Sequence, residues 1–381
     1  MKHLYRAVLL LAVSCGCHAD PGALESQSPA PPSMVRTVQS GKVNVQDTRD
    51  ACDKLRGRIS TLLSAILPAE IDDRAPPVWI RAHLLLGFGP NGYGERHRSG
   101  AAERLYSSFL TPSAPEFESP FAAGRLSRHG VETVGVEREQ HLNQFLAYLA
   151  MAGTPPSAPV LIDGEMTTIA SLVEKSRQQV HLETQLAWTV IAYTHYLPLT
   201  ERWKTKFEEP MSCAQLLERL LQREEPACDG AHYYTALALA VSRWGTMSDA
   251  STRSMLDTAS LRLNEKCTVL RNTQRPDGSL LCPSINDDGP DGNALPIMFG
   301  SGHHLEWLTI SLSQEELRSK WMLDLVTAVL DATERHQRSA ALAAPDYPAQ
   351  AIEYGALGHA LSSLHRWSLR MEAGRQSPAS R

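Results

Sequence analysis

Histidine is the residue of this chain whose placement points most directly to chemistry. Nine of the 14 histidines fall in six apolar segments: His83, His141, His181, His195, His232, His303, His304, His359 and His365. Six of these, at 83, 141, 181, 232, 303 and 359, stand near the start of their segment. The densest group is Gly302-His303-His304-Leu305-Glu306-Trp307. His303 and Glu306 are three apart and share a helix face. A carboxylate beside an imidazole fixes its tautomer and raises its basicity. His303 is therefore read as an acid/base with Glu306 as its partner, and His359 and His232 as further catalytic imidazoles. Trp307 offers a flat face on which a sugar ring or a cation could stack. Tyr233, Trp188, Gln185 and His141, from neighbouring apolar segments, are read as substrate-binding groups around a central cavity.

Other constellations carry less. Cys228, Asp229 and His232 group three metal-capable side chains at a helix start, but tetrahedral sites usually show tighter paired spacing. Asp229 is also a natural N-cap. No metal and no cofactor are assigned. Asp287-Asp288-Gly289-Pro290-Asp291 spells an acidic D-D-x-x-D run. Gly289 and Pro290 exclude a helix there, so it reads as a solvated loop. Cys213 and Cys228, and likewise Cys267 and Cys282, stand 15 apart. Each pair could be a disulfide or two buried thiols.

The elements that would position these groups are helices. The body shows period-3.6 patterns broken by Gly, Pro and Asp loops, with almost no period-2 runs. The exception is Val160 to Thr167, where Asp163-Gly164 between apolar residues predicts a small hairpin. Amphipathic segments at about 54–67, 99–110, 167–180, 212–223, 251–273 and 315–337 alternate with segments apolar nearly all round, at 80–89, 139–153, 181–197, 230–245, 302–312 and 354–367. A helix apolar all round is buried on every side, and a half-charged one lies outside it. Six such pairs predict an all-α (α/α)6 barrel, or toroid, of six outer and six inner helices. An open solenoid of the same pairs is the alternative. In the closed form the inner helices run parallel, so their first turns meet at one mouth, where ligand sites form between helices.

With that pattern in hand, Gln274-Arg275-Pro276-Asp277-Gly278-Ser279 resembles the Q-x-x-D-G-S-W repeat of terpenoid cyclases and protein prenyltransferases, which share the α/α toroid; Leu280 stands where the final Trp would be. The chain is also similar to exported bacterial proteins that carry G-H-x-L-E-W. The spelling around His303 resembles the G-H-x-x-E-W motif of N-acylglucosamine 2-epimerases. In that family the matching histidine belongs to an acid/base pair that removes a proton next to a carbonyl, which implies such a role for His303, with Glu306 beside it and His359 in the place of the second histidine. The D-x-D-D acid motif of squalene cyclases is absent from the sequence.

Residues 1–19 combine a basic start (Lys2, Arg6) with a short apolar core, the form of a secretory signal peptide. Leu11 to Cys15 resembles a bacterial lipobox, so cleavage would leave a lipid anchor at Cys15 or Cys17; cleavage after Ala19 is the alternative. Residues 20–48, rich in Pro, Ser, Gly and Ala, read as a flexible tether. Residues 49–370 would form the toroid domain, and 371–381 a disordered tail. The 381 residues carry 37 Lys and Arg against 42 Asp and Glu, net −5, a balance with no bulk attraction to nucleic acid or anionic lipid. The expectation is an extracytoplasmic protein of the bacterial envelope, touching the membrane only through a lipid anchor, with a small-molecule ligand in the central cavity. Three functions follow: an enzyme using the His/Glu set on a sugar or small organic substrate, a terpenoid cyclase- or prenyltransferase-like enzyme, or a non-catalytic binding or scaffold protein.

Overall fold

The structure is a computed structural model that describes residues 45–71, 78–88, 105–107, 110–111, 126–127, 130–131, 141–162, 165–183, 185–225, 227–245, 250–280, 294–340 and 351–376. The expected signal segment with Cys15 and Cys17, most of the expected tether, Cys282 and the acidic run 287–291 lie outside the described residues. The chain is mostly helical. Six helices are buried over most of their surface: α2 (Val78–Phe88), α3 (Gln144–Met151), α5 (Ala187–Tyr196), α7 (Ala231–Trp244), α9 (Gly302–Ser311) and α11 (Ala351–Gln376). Amphipathic helices precede or separate them: α1 (Val45–Ile71) before α2, then α4 (Ile169–Arg177), α6 (Cys213–Gln222), α8 (Ala250–Thr273) and α10 (Lys320–Ala340) between later ones. Of the second amphipathic segment expected at 99–110, Leu105 and Leu110 are described and buried. The alternation follows composition. In α9 every residue before Ile310 is buried, whereas in α6 burial falls on Cys213, Leu216, Leu217 and Leu220, one stripe at helical spacing.

The buried helices touch one another in chain order: α2 on α3, α3 on α5, α5 on α7, α7 on α9, α9 on α11, and α11 back on α2. The amphipathic helices pack outside these contacts, α8 against α7, α10 against α11, and α1 against both α10 and α11. Small residues allow the tightest of these approaches. A Cβ at Gly358 of α11 would stand 2.4 Å from the His83 carbonyl oxygen of α2, and one at Gly302 of α9 would stand 3.1 Å from Ala360 Cα of α11. Arg58 of α1 clamps α10 through Glu334 (2.8 Å) and Asp331. His365 Nδ1 bonds the Gly87 carbonyl at 3.2 Å.

Strands are few and short. β3 (Pro159–Ile162) pairs antiparallel with β4 (Glu165–Thr168), the hairpin expected from the sequence; Asp163 and Gly164 lie outside the described residues. Two ribbons were not expected: β1 (Leu126–Ser127) with β2 (Gly130–Val131), and β5 (Arg202–Lys204) with β6 (Pro210–Ser212). Two boundaries are corrected. Residues 45–48, read as tether, open α1, and residues 371–376, read as tail, close α11. The added turns of both helices extend elements whose central turns pack on the core. Among the described residues no helix is long and apolar enough to cross a membrane.

The Gln274 turn acts as a strut. Gln274 Nε2 donates to the Gly278 and Trp321 carbonyls, both at 2.8 Å, tying the end of α8 to the start of α10. Asp277 Oδ1 accepts from the backbone and hydroxyl of Ser279. Leu280 N–H then donates to Ser301 Oγ at 2.9 Å, which fixes the entry of α9.

Candidate functional site

Each buried helix contributes one aromatic ring to a common cluster. Going round, His83 (α2) and Tyr148 (α3) have ring centroids 4.7 Å apart, Tyr148 and Trp188 (α5) 5.1 Å, and Trp188 and His232 (α7) 4.0 Å. His232 and His303 (α9) lie 5.1 Å apart, His303 and His359 (α11) 3.8 Å, and His359 and His83 5.5 Å. All six rings are buried. His141, just before α3, lies 6.2 Å from Trp188 with its ring nearly parallel. His141, Gln185, Cys228 and Phe299 are half-buried around this cluster or beside it. His141 also hydrogen-bonds Gln185.

The sequence reading thus brings His83, His141, His232, His303 and His359 together, with Trp188. It misplaces others. His181 stands in the loop before α5 beside Glu183 and Phe207, and Trp188 occupies its position in the ring. Trp307 has no face free for a sugar: it is fully buried, its Nε1–H donates to His304 Nδ1 at 3.1 Å, and its ring lies 5.5 Å from Tyr234. Tyr233 is buried against Tyr234 and forms no ring contact with the cluster. Tyr148 was missed, because an aromatic in an apolar helix reads as core. Its hydroxyl accepts from Gln144 at 2.9 Å and shares a 2.7 Å bond with His83 Nε2.

The expected pairing of Glu306 with His303 is also corrected. Glu306 Oε2 lies 3.0 Å from His359 Nδ1. The His303 ring turns back one helical turn, and its Nδ1–H donates to the Phe299 carbonyl at 2.6 Å. That carbonyl belongs to a π-turn, Ile297–Ser301, in which the Gly302 amide reaches back to Ile297. Widened turns of this kind are frequent at functional sites. A carbonyl can only accept, so His303 carries its proton on Nδ1 and presents a bare Nε2. An ionised Glu306 imposes the same tautomer on His359. His304 is saturated in another way: Nδ1 accepts from Trp307, so Nε2–H donates to Asp229 Oδ2 at 3.1 Å.

Burial sets the charge of the cluster. It pushes His232 and His303 well below the usual imidazole range, with neighbouring histidines adding to the effect. Burial takes His359 down to about 3. Glu306 moves the other way: burial raises its carboxyl, opposed by the charge of Arg366. Arg366, whose charge acts on Glu306, lines a cavity of about 540 Å³ at the far ends of the buried helices, together with Ser362, Arg243, Arg370 and Thr309. For Asp229, burial raises the carboxyl, but the His304 hydrogen bond and the charge of Lys266 outweigh it and hold it low.

Two positioning groups had no legible sequence signal. Buried Glu225 accepts from the backbone amides of Leu186 (2.5 Å) and Ala187 (3.1 Å), serving the open N-terminus of α5 and so placing Trp188. Asn143 donates to Thr189 at 2.9 Å and accepts from Ser176 at 2.7 Å, joining α3, α4 and α5. Cys228 (φ 52°, ψ 46°), Asp229 (φ 56°, ψ 32°) and Gly230 (φ 73°) form three successive left-handed residues. For the two non-glycine residues that costs roughly 1–2 kcal/mol each. Gly230, and not Asp229, is the N-cap of α7. Cys52, Cys213, Cys228 and Cys267 are thiols, so the Cys213–Cys228 disulfide is not formed.

A scan against protein-family models finds no match, and searches of curated proteins and of solved structures find no relative.

Proposed function

We propose that this chain is an extracytoplasmic enzyme, exported or lipid-anchored at Cys15 or Cys17, whose helices close as an (α/α)6 toroid around a catalytic His/Glu set. The return contact of α11 on α2 supports the closed ring over the open solenoid. The observation that carries the catalytic reading is the buried His359–Glu306 pair, 3.0 Å apart, with neutral His303 and His232 beside it. A neutral imidazole held by a carboxylate is a proton acceptor, and the same groups return the proton. The reaction class is proton removal next to a carbonyl in a sugar or small organic molecule. His359 takes the acid/base role first expected of His303.

Solvent exchange tests this. A panel of aldoses, ketoses and small carbonyl acids is incubated with the protein in D₂O, and loss of the C–H signal next to the carbonyl is followed by NMR. Exchange of at least one compound is expected, and His359→Gln is expected to slow it about 10²–10⁴-fold with the fold retained by circular dichroism. Absence of exchange across the panel, or a variant as active as the parent, would sink the reading.

A non-catalytic scaffold is the second reading. What favours it is the unbroken cycle of six ring contacts, which fills the centre of the buried helices with the protein's own side chains. No observation favours a terpenoid cyclase- or prenyltransferase-like activity.

A further inference from the structure

The sulfur of Cys228 and a ring nitrogen from each of His232 and His303 all lie within 4.8 Å of one another. Three separate elements supply them: the left-handed turn before α7, the first turn of α7, and the first turn of α9. We propose that Cys228, His232 and His303 bind a zinc ion whose fourth position faces His359.

A tetrahedral zinc at about 2.0–2.3 Å from each ligand holds them roughly 3.3–3.7 Å apart, so small side-chain movements close the site. One thiolate and two imidazoles form a donor set that suits zinc. The surroundings are those of a metal site. His303 is locked by its Nδ1–H bond to the Phe299 carbonyl, which leaves Nε2 as a ligand atom. His359 is locked by Glu306 in the same manner, and its ring lies 3.8 Å from His303 and 5.4 Å from His232. Asp229 is turned away from the set to His304, and that bond anchors the strained turn that holds Cys228 over the two imidazoles. The half-buried position of Cys228 places the ion at the end of the cluster nearer solvent. Three protein ligands with an open fourth position is the arrangement of a catalytic zinc rather than a closed structural one.

The inference extends the acid/base reading without needing it, and its test uses no turnover. Full-length protein is stripped with chelator and reloaded with zinc alone. One zinc per chain by elemental analysis is expected, together with a higher melting temperature than the stripped form. Reloaded with cobalt alone, the protein is expected to show a thiolate-to-cobalt charge-transfer band. Cys228→Ser is expected to lose that band and to weaken zinc binding by on the order of 10–100-fold or more. Cys267→Ser, which removes a thiol of α8, is expected to keep both. His303→Gln is the second variant should Cys228→Ser fail to fold, and the parent protein's stoichiometry and cobalt spectrum decide the matter alone. The assignment is overturned by less than stoichiometric zinc, by cobalt binding without the thiolate band, or by a folded Cys228→Ser that retains zinc affinity. A zinc-loaded protein that exchanges no substrate proton keeps the metal site and loses the acid/base reading; a zinc-free protein that still needs His359 does the reverse.

Discussion

Two side chains of one short helix, α9, show what a residue's type does and does not reveal. His303 joins the ring cluster that its position at a helix start predicts, while Trp307, four residues on, is core. Its indole is sealed between His304 and Tyr234, so Trp307→Ala should cost about 3–5 kcal/mol, read as a drop in the denaturant midpoint. A ligand-stacking Trp would lose little stability. The histidines make a second prediction. Those at 141, 232, 303, 304 and 359 are all held below the ordinary value, so between their folded values and about 6.5 the unfolded chain binds protons that the folded chain does not. Their contribution to stability is whole above about pH 6.5 and is lost as pH falls below it. Melting temperature should therefore decline steadily from pH 7 to pH 5. A flat profile over that interval would show that the rings titrate alike in the folded and unfolded chain, and a rise as pH falls would show that the folded cluster carries protons. Histidine convergence was legible in the sequence because burial and helix-start position are both written locally. The contacts of Cys228 with His303, and of Glu306 with His359, were not, since each joins residues more than fifty apart through packing that no local pattern encodes.

At the scale of elements, helix type was readable and helix ends were not. The alternation of apolar and amphipathic segments follows from the 3.6 period, which survives any local noise over ten residues. The ribbon β5–β6 escaped because three-residue strands carry too few positions for a period of two, and Pro210 argues against one. What sets the distances between elements is smaller still. Gly358 lets α11 lie against the backbone of α2 at His83, the residue that begins the ring cycle. Gly358→Ala should force those helices apart and cost about 1–3 kcal/mol. Gly57 of α1 has nothing within 4 Å of its Cβ position, so Gly57→Ala should be neutral or stabilising by up to about 1 kcal/mol through helix propensity. Paired urea titrations check both, and equal effects from the two substitutions would refute the close-approach argument.

The molecule as a whole has no seam in its contact order: every buried helix touches the next, and the last touches the first. A chain built so should unfold as one unit. Limited proteolysis should yield no pair of stable halves, and a chain stopped at residue 340, before α11, should fail to fold even though α1 to α10 are intact, because α2 and α9 would each lose one of their two buried neighbours. Circular dichroism and dye binding on that truncation give the answer; a native-like spectrum would mean the fold does not depend on α11. The alternation of apolar and amphipathic helices could be read along the sequence, whereas the return of α11 on α2 depends on a contact between the two ends of the chain.

The bonds that tie α1 to α10 and α11 to α2 join residues 276 and 278 apart. A ribosome delivers the two members of each near opposite ends of translation. At about 5–20 residues per second, the Gly87 carbonyl waits roughly 14–56 s for His365. For that interval α2 lacks its contact with α11, and that face must be kept from other nascent chains. The 26 residues of α11 are thus a latch that arrives last, and the time it takes to arrive sets how long each new molecule is open to proteases and to its own copies.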